Sequence, residues 1–138
     1  MAFKKKRFRA PKIATVIGKG TWIEGNVGFS GGLHVDGVIK GNVLSDADDE
    51  SATLTLSDEG LIEGNVRVAN VMLNGRVMGD VIASNRVELA PKARITGTVT
   101  YALLEMAMGA EVNGKLVHAD EAESPRLGFD GDELTVEP

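Results

Sequence analysis

Apolar and polar residues alternate along this chain in short bursts that return at nearly regular intervals. A five-residue phrase, aliphatic–x–Gly–x–aliphatic, occurs as Ile23-Glu24-Gly25-Asn26-Val27, as Val35-Asp36-Gly37-Val38-Ile39, and as Ile39-Lys40-Gly41-Asn42-Val43. It returns as Ile62-Glu63-Gly64-Asn65-Val66, Leu73-Asn74-Gly75-Arg76-Val77 and Val77-Met78-Gly79-Asp80-Val81. Ile95-Thr96-Gly97-Thr98-Val99 and Val112-Asn113-Gly114-Lys115-Leu116 close the series. A period of two with one apolar side predicts short strands with one buried face. Six residues upstream of several copies stands another aliphatic: Ile17 before Ile23, Leu56 before Ile62, Leu89 before Ile95, Met106 before Val112. Phe29 before Val35 has the same spacing and reads as a further member of that set. Small residues fill the intervals, as in Gly18-Lys19-Gly20 and Ala90-Pro91-Lys92-Ala93, so the unit is strand, tight turn, strand.

Turns this short cannot carry the crossover of a dozen or more residues that a parallel βαβ sheet requires. An antiparallel meander and a coil of stacked turns both remain. Only the coil explains why one residue type recurs at matching places, because equivalent residues of successive turns then lie on one another. The predicted fold is all-β, a parallel β-helix (a solenoid), with glycine at a corner too sharp for a side chain. The glycines at 25, 41, 64, 79, 97 and 114 are separated by 16, 23, 15, 18 and 17 residues, and they mark about six rungs. Strands stacked about 4.8 Å apart make that a rod roughly 30 Å long. The one long interval holds Asp46-Ala47-Asp48-Asp49-Glu50-Ser51-Ala52, which reads as a surface loop inserted into a rung.

A solenoid exposes unpaired backbone and the end of its core at both terminal rungs unless polar capping repeats cover them. No cap is written at either end of this repeat. Val16, Ile17 and Trp22 open the first rung, and Leu103, Leu104, Met106, Met108 and Leu116 lie in the last. These eight residues are the expected polymerisation interface, and the expected partner is another copy of the chain, because identical rods stacking through their ends build an open filament.

Composition agrees with the pattern. Hydrophobic residues make up 43% and charged residues 25%, while aromatics are only 4% and 17 residues are glycine. Each glycine inside a helix costs about 1 kcal/mol relative to alanine, which argues against a helical bundle. The chain has no cysteine, so disulfides and thiolate chemistry are excluded and a reducing compartment is allowed. The net charge of −5 conceals an asymmetry: residues 1–12 carry six cations and no acid, residues 119–138 carry seven acids and one cation. The expected organisation is a basic tail over 1–12, a β-helix over 13–118 and an acidic, disordered tail over 119–138. No apolar stretch resembles a secretory signal, and Ile95 to Leu104 is too short and polar to span a bilayer.

Catalytic chemistry finds little support. His34 and His118 are the two histidines, and alternation beside Leu33 and Val35 turns His34 outward. A hexapeptide-repeat acyltransferase, which is also a β-helix, would use a histidine as general base but keeps a strict six-residue period. It is the alternative to a structural role, as an enzyme or ligand-binding module. Gly18-Lys19-Gly20 lacks the spacing of a phosphate loop. The acids 46–50 lack the glycine that fixes a calcium loop. Glu24, Asp36 and Glu63 do not converge as a glycosidase pair would. No catalytic, cofactor or metal residue is assigned.

The repeated phrases, above all Ile23-Glu24-Gly25-Asn26-Val27 and Val35 through Val43, resemble the bactofilins, bacterial cytoskeletal proteins, over about residues 14–118. The resemblance implies a right-handed, three-sided β-helix that assembles without nucleotide into nonpolar filaments through like ends. It also implies membrane binding by a short N-terminal segment with Phe and Lys. Phe3, Lys4, Lys5, Lys6, Arg7 and Phe8 match that segment, although Ala2 stands between Met1 and Phe3 where the commonest pattern has no residue. The implied setting is the cytoplasm, peripheral on the inner face of the membrane. The implied partners are an anionic lipid surface and recruited proteins, with no specific nucleic acid and no cofactor.

Overall fold

The computed structural model describes residues 13–119, and all of its strand pairing is parallel. Rung one holds β1 (Ile13–Ile17), β2 (Trp22–Glu24) and β3 (Val27–Phe29); rung two holds β4 (Gly32–Val35), β5 (Val38–Lys40) and β6 (Val43–Ser45). Rung three holds β7 (Thr53–Leu56), β8 (Leu61–Glu63) and β9 (Val66–Arg67); rung four holds β10 (Asn70–Leu73), β11 (Arg76–Met78) and β12 (Val81–Ile82). In the last two rungs the second and third strands fuse, giving β13 (Arg86–Leu89) with β14 (Arg94–Tyr101), then β15 (Leu103–Met106) with β16 (Glu111–His118). The first face runs β1-β4-β7-β10-β13-β15; the second and third faces meet in β14 and β16. The result is a three-sided β-solenoid of six turns.

The register explains the repeat. Four columns of aliphatic residues run up the inside, each residue paired with its equivalent one rung away. One is Ile17, Val35, Leu56, Leu73, Leu89, Met106; a second is Leu33, Leu54, Val71, Val87, Leu104. The third is Ile23, Ile39, Ile62, Val77, Ile95, Val112, and the fourth is Val27, Val43, Val66, Val81, Val99, Leu116. Side chains of one kind stack at strand spacing, so β-branched and leucine residues fill the bore without polar atoms, and this single cluster is the core.

The corner between the second and third faces is where the chain comes closest to itself. A Cβ on Gly97 would be driven into the carbonyl oxygen of Gly79 in the rung before, and Gly97 also holds a φ of 142°. Immediately after these glycines an asparagine ladder takes over. The Asn26 side-chain oxygen accepts from the Asn42 N–H at 2.9 Å, Asn42 from Asn65 at 3.0 Å, Asn65 from Asp80 at 3.0 Å and Asp80 from Thr98 at 3.0 Å. Each side chain thus satisfies a corner N–H in the next rung that strand pairing leaves over.

Two details of the pattern resolve differently in space. Gly37 and Gly75 belong to copies of the phrase, yet they lie at the first corner, between the first and second faces. A Cβ on either would strike carbonyls of the longer turn one rung earlier, those of Gly18 and Thr21 or of Ser57 and Gly60. Phe29 is not the equivalent of Ile17: it pairs with Ser45 at the end of the third face, and Val35 itself succeeds Ile17 in the column. A six-residue spacing spans the first corner when the turn has four residues, as from Ile17 to Ile23, and arises at the third corner from Phe29 across the two-residue turn Ser30-Gly31 to Val35 at the far end of β4. The acidic stretch 46–52 is an insertion at that same third corner, between β6 and β7.

Gly97→Ala combines a blocked position with a strained φ and is expected to cost about 3 kcal/mol, read as a lower urea midpoint. Gly25→Ala has open space around it and keeps only the φ penalty, so about 1 kcal/mol is expected. Equal losses at the two sites would contradict close approach as the reason for the corner glycines.

Candidate functional site

At the C-terminal end the columns do not finish in polar residues; among the described residues they stop. In the fourth column Val99 is 0% exposed, whereas Leu116 one rung later is 43% exposed. In the first column Leu89 at 1% is followed by Met106 at 44%. Leu104 and Val112 are half-buried ends of the other two columns. These four side chains make the C-terminal end of the bore wholly aliphatic. At the opposite end three columns close with Ile17, Ile23 and Val27, of which Ile17 is buried and the other two half-buried, while the Leu33 column closes on the exposed, polar Thr15. Among the described residues the backbone is open as well: β1, β2 and β3 pair on one side only, as do β15 and β16. Each end therefore presents a ring of unpaired strand edge around an apolar centre, the arrangement that templates further strand addition.

The eight residues expected at the interface divide into two groups at opposite ends. Ile17, Leu104, Met106 and Leu116 are column ends. Val16, Trp22 and Leu103 are exposed on the outside of the end rungs, stacking on His34, Val38 and Arg86 respectively, and Met108 caps a turn tip at 94% exposure. Ile23, Val27 and Val112 are column ends that the sequence-based choice left out, although each flanks an end-rung corner glycine, Gly25 or Gly114, as its repeat partners do. The membrane-binding candidates Phe3, Lys4, Lys5, Lys6, Arg7 and Phe8 lie outside the described residues, as does the chain from 120 onward.

Ion pairs fasten the last rung to the rod. Arg86 meets Glu105 at 2.7 Å and Glu88 at 3.1 Å, and Arg94 meets Glu111 at 3.6 Å. The bond from Glu105 holds the Arg86 guanidinium above its usual range. These contacts span β13 to β15 and β14 to β16, and they keep the terminal edge in register.

The side wall offers one cluster with catalytic overtones. His34 Nε2 lies 3.0 Å from Asp36 Oδ1, and the Ser57 hydroxyl also bonds to Asp36. Those bonds, Ser57 first and His34 after it, hold the Asp36 carboxyl below its usual range. The order is wrong for a nucleophile, because the carboxylate sits between serine and histidine. An activated serine needs the imidazole in the middle. Among the described residues no group of three His, Cys, Asp or Glu side chains is placed to hold a metal ion.

Geometry alone thus defines a class: a parallel β-solenoid with a closed side wall and two open, apolar ends. Comparison with known proteins narrows it. The family model for bactofilins, described as polymer-forming cytoskeletal, matches residues 15–117, and the chain belongs to that family. It is 29% identical over 102 residues to Bactofilin BacO of Myxococcus xanthus, covering 74% of this chain and 77% of that one. To Bactofilin BacP of the same organism it is 28% identical over 106 residues, 77% of this chain and 42% of the relative. Its fold matches the cryo-EM reconstruction of Thermus thermophilus bactofilin double helical filaments with a TM-score of 0.66 and 29% identity. That match covers 75% of this chain and 98% of the other.

An open end should tolerate in the monomer what the bore cannot. Leu116→Arg is expected to shift unfolding by about 1 kcal/mol or less, since the arginine head reaches water. Val99→Arg, in the same column, buries an unpaired charge and should abolish cooperative urea unfolding. Comparable losses in the two variants would contradict an open end at Leu116.

Proposed function

We propose that this protein is a structural element rather than an enzyme, and that it polymerises end to end, without nucleotide, into nonpolar filaments. The observation that carries this reading is the run-out of the four aliphatic columns at the C-terminal end, into exposed Met106 and Leu116 and half-buried Leu104 and Val112, beside strand edges that are unpaired among the described residues. Stacking a second rod on that end continues every column, removes the apolar surface from water and pairs the free N–H and C=O groups at one stroke. Neither step draws on phosphate-bond energy, so a nucleotide has no part to play. Joining through like ends makes the filament nonpolar. Self-association is also the activity named for the family and for the Thermus thermophilus relative.

The same reading places the filament at the inner face of the cytoplasmic membrane, as a scaffold for cell shape or for the localisation of other proteins. The six cations of residues 1–12 contribute about 1 kcal/mol each near an anionic leaflet, and Phe3 and Phe8 can enter the headgroup layer. The acidic tail is a site for recruited proteins.

Negative-stain microscopy of the purified protein at micromolar concentration, with no nucleotide added, is expected to show filaments. Leu104→Arg and Leu116→Arg should each remain folded and show none; normal filaments in both would exclude the C-terminal end as a joint. In co-sedimentation the full chain is expected to pellet with anionic liposomes and a chain lacking residues 1–12 to stay in the supernatant. Undiminished pelleting of the shortened chain would refute the membrane role of the basic tail.

A further inference from the structure

The third face carries a groove that end-to-end stacking does not use. Leu44, Arg67 and Ile82 follow one another up the outside of β6, β9 and β12, and Leu44 and Ile82 are exposed. The loop 46–52 stands beside them at the third corner. The hollow between loop and sheet has a volume of about 360 Å³ and is lined by Asp46, Asp49 and Glu50 on one side and Ile82 on the other. A further hollow of about 380 Å³ continues it past Leu44 to Phe29. The floor is apolar and the rim acidic, with Arg67 the one cation among the residues that line it.

The loop is held in place from inside. Asp49 accepts from the Gly31 N–H at 2.8 Å and from the Ser51 hydroxyl at 2.7 Å, and Asp46 accepts from the Asp48 N–H at 3.0 Å. The Gly31 bond, with those from Ser51, holds the Asp49 carboxyl below its usual range. Asp48 and Glu50 are left exposed with their charges toward water.

We propose that residues 1–12 of the same chain dock in this groove, with Phe3 and Phe8 on its apolar floor and the cations against the loop. Three observations converge. The first is where the tail leaves the rod: Ile13 pairs with Gly32, the neighbour of the very Gly31 that Asp49 clasps. The second is reach, because twelve residues span up to about 40 Å when extended, and Leu44, Arg67 and Ile82 lie only one to three rungs above that exit, at most about 14 Å along the rod. The third is chemistry: the tail's six cations interleaved with two phenylalanines complement a rim of Asp46, Asp49 and Glu50, with Asp48 next to it in the loop, beside exposed Leu44 and Ile82. The acidic residues beyond 119 are the rival partner; the chain leaves the last rung five rungs or about 24 Å from Ile13, within reach of the tail but farther than the groove and without its apolar floor for Phe3 and Phe8 at the exit. The inference stands without the membrane reading; where both hold, the groove and the lipid surface compete for one tail.

The absence of cysteine makes a clean test available in the full chain. Ala2→Cys is combined either with Ser84→Cys, which lines the hollow, or with Met72→Cys, equally exposed in the same rung but across the third corner on the first face. Non-reducing electrophoresis follows oxidation with time. Docking is expected to close the Ala2→Cys/Ser84→Cys disulfide within one chain about tenfold faster than the Ala2→Cys/Met72→Cys one, through the higher local concentration. Adding Asp48→Asn and Glu50→Gln, or raising salt to about 1 M where the Debye length is about 3 Å, should bring the two rates together. Equal rates from the outset would overturn the proposal. So would a disulfide that joins two chains instead of closing within one, which would give the groove to the tail of another copy.

Discussion

At the glycine corners backbone lies so close to backbone that a side chain has no room, and nearly everything else depends on it. Each rung can lie one strand spacing above the last only where no side chain props the corner open. With that spacing granted, equivalent residues fall on one another, and the aliphatic columns and the asparagine ladder follow. The columns exclude water from a bore too narrow for anything larger than branched aliphatic side chains. The ladder disposes of corner N–H groups that a parallel sheet leaves without partners. Sequence repetition is the visible trace of this constraint, since every rung must answer the same geometric demands.

A structure built by stacking has no internal reason to stop. Globular proteins close their cores on all sides, whereas a solenoid closes only its wall and needs a distinct sequence to seal its ends. Here the last rung keeps the repeat to its final leucine, Leu116, with Arg86 and Arg94 paired across to it, and among the described residues its far edge has no strand partner. On the proposed end-to-end joint, the driving force for assembly is the one that folds the chain, continued across a boundary between molecules. Membership of a polymer-forming family agrees with this, and the physics supplies the reason.

Much of this was legible in the amino-acid order. Val27, Val43, Val66, Val81 and Val99 recur at glycine-marked positions, so their column could be written down before any coordinate. The corner glycines and the inserted acidic loop were legible for the same reason. What failed was the assignment of phrases to corners. Two-residue turns occur at more than one corner, so Gly37 and Gly75 matched a motif at another corner, and Phe29 matched across a two-residue turn the six-residue spacing that Ile17 and Leu56 reach across four-residue turns. Orientation at the ends was also ambiguous. Val16, Trp22 and Leu103 are apolar and lie in end rungs, but alternation places them outside, whereas Val112 closes a column. Hydrophobicity alone does not distinguish an exposed outer residue from a column end; the register does. The relation between the chain's exit at Ile13 and the loop at 46–52 had no sequence signal, because it depends on which strands become neighbours.

If the joint between molecules is one more rung-to-rung contact, the filament is a continuous stack of strands lying across its axis. High-resolution imaging of the assembled protein, read through its power spectrum, tests that directly. End-to-end stacking requires a meridional reflection near 4.8 Å and an axial repeat of about 29 Å per six-rung subunit, or twice that where like ends alternate. A 4.8 Å spacing off the meridian, or an axial repeat that six stacked rungs cannot fill, would contradict it.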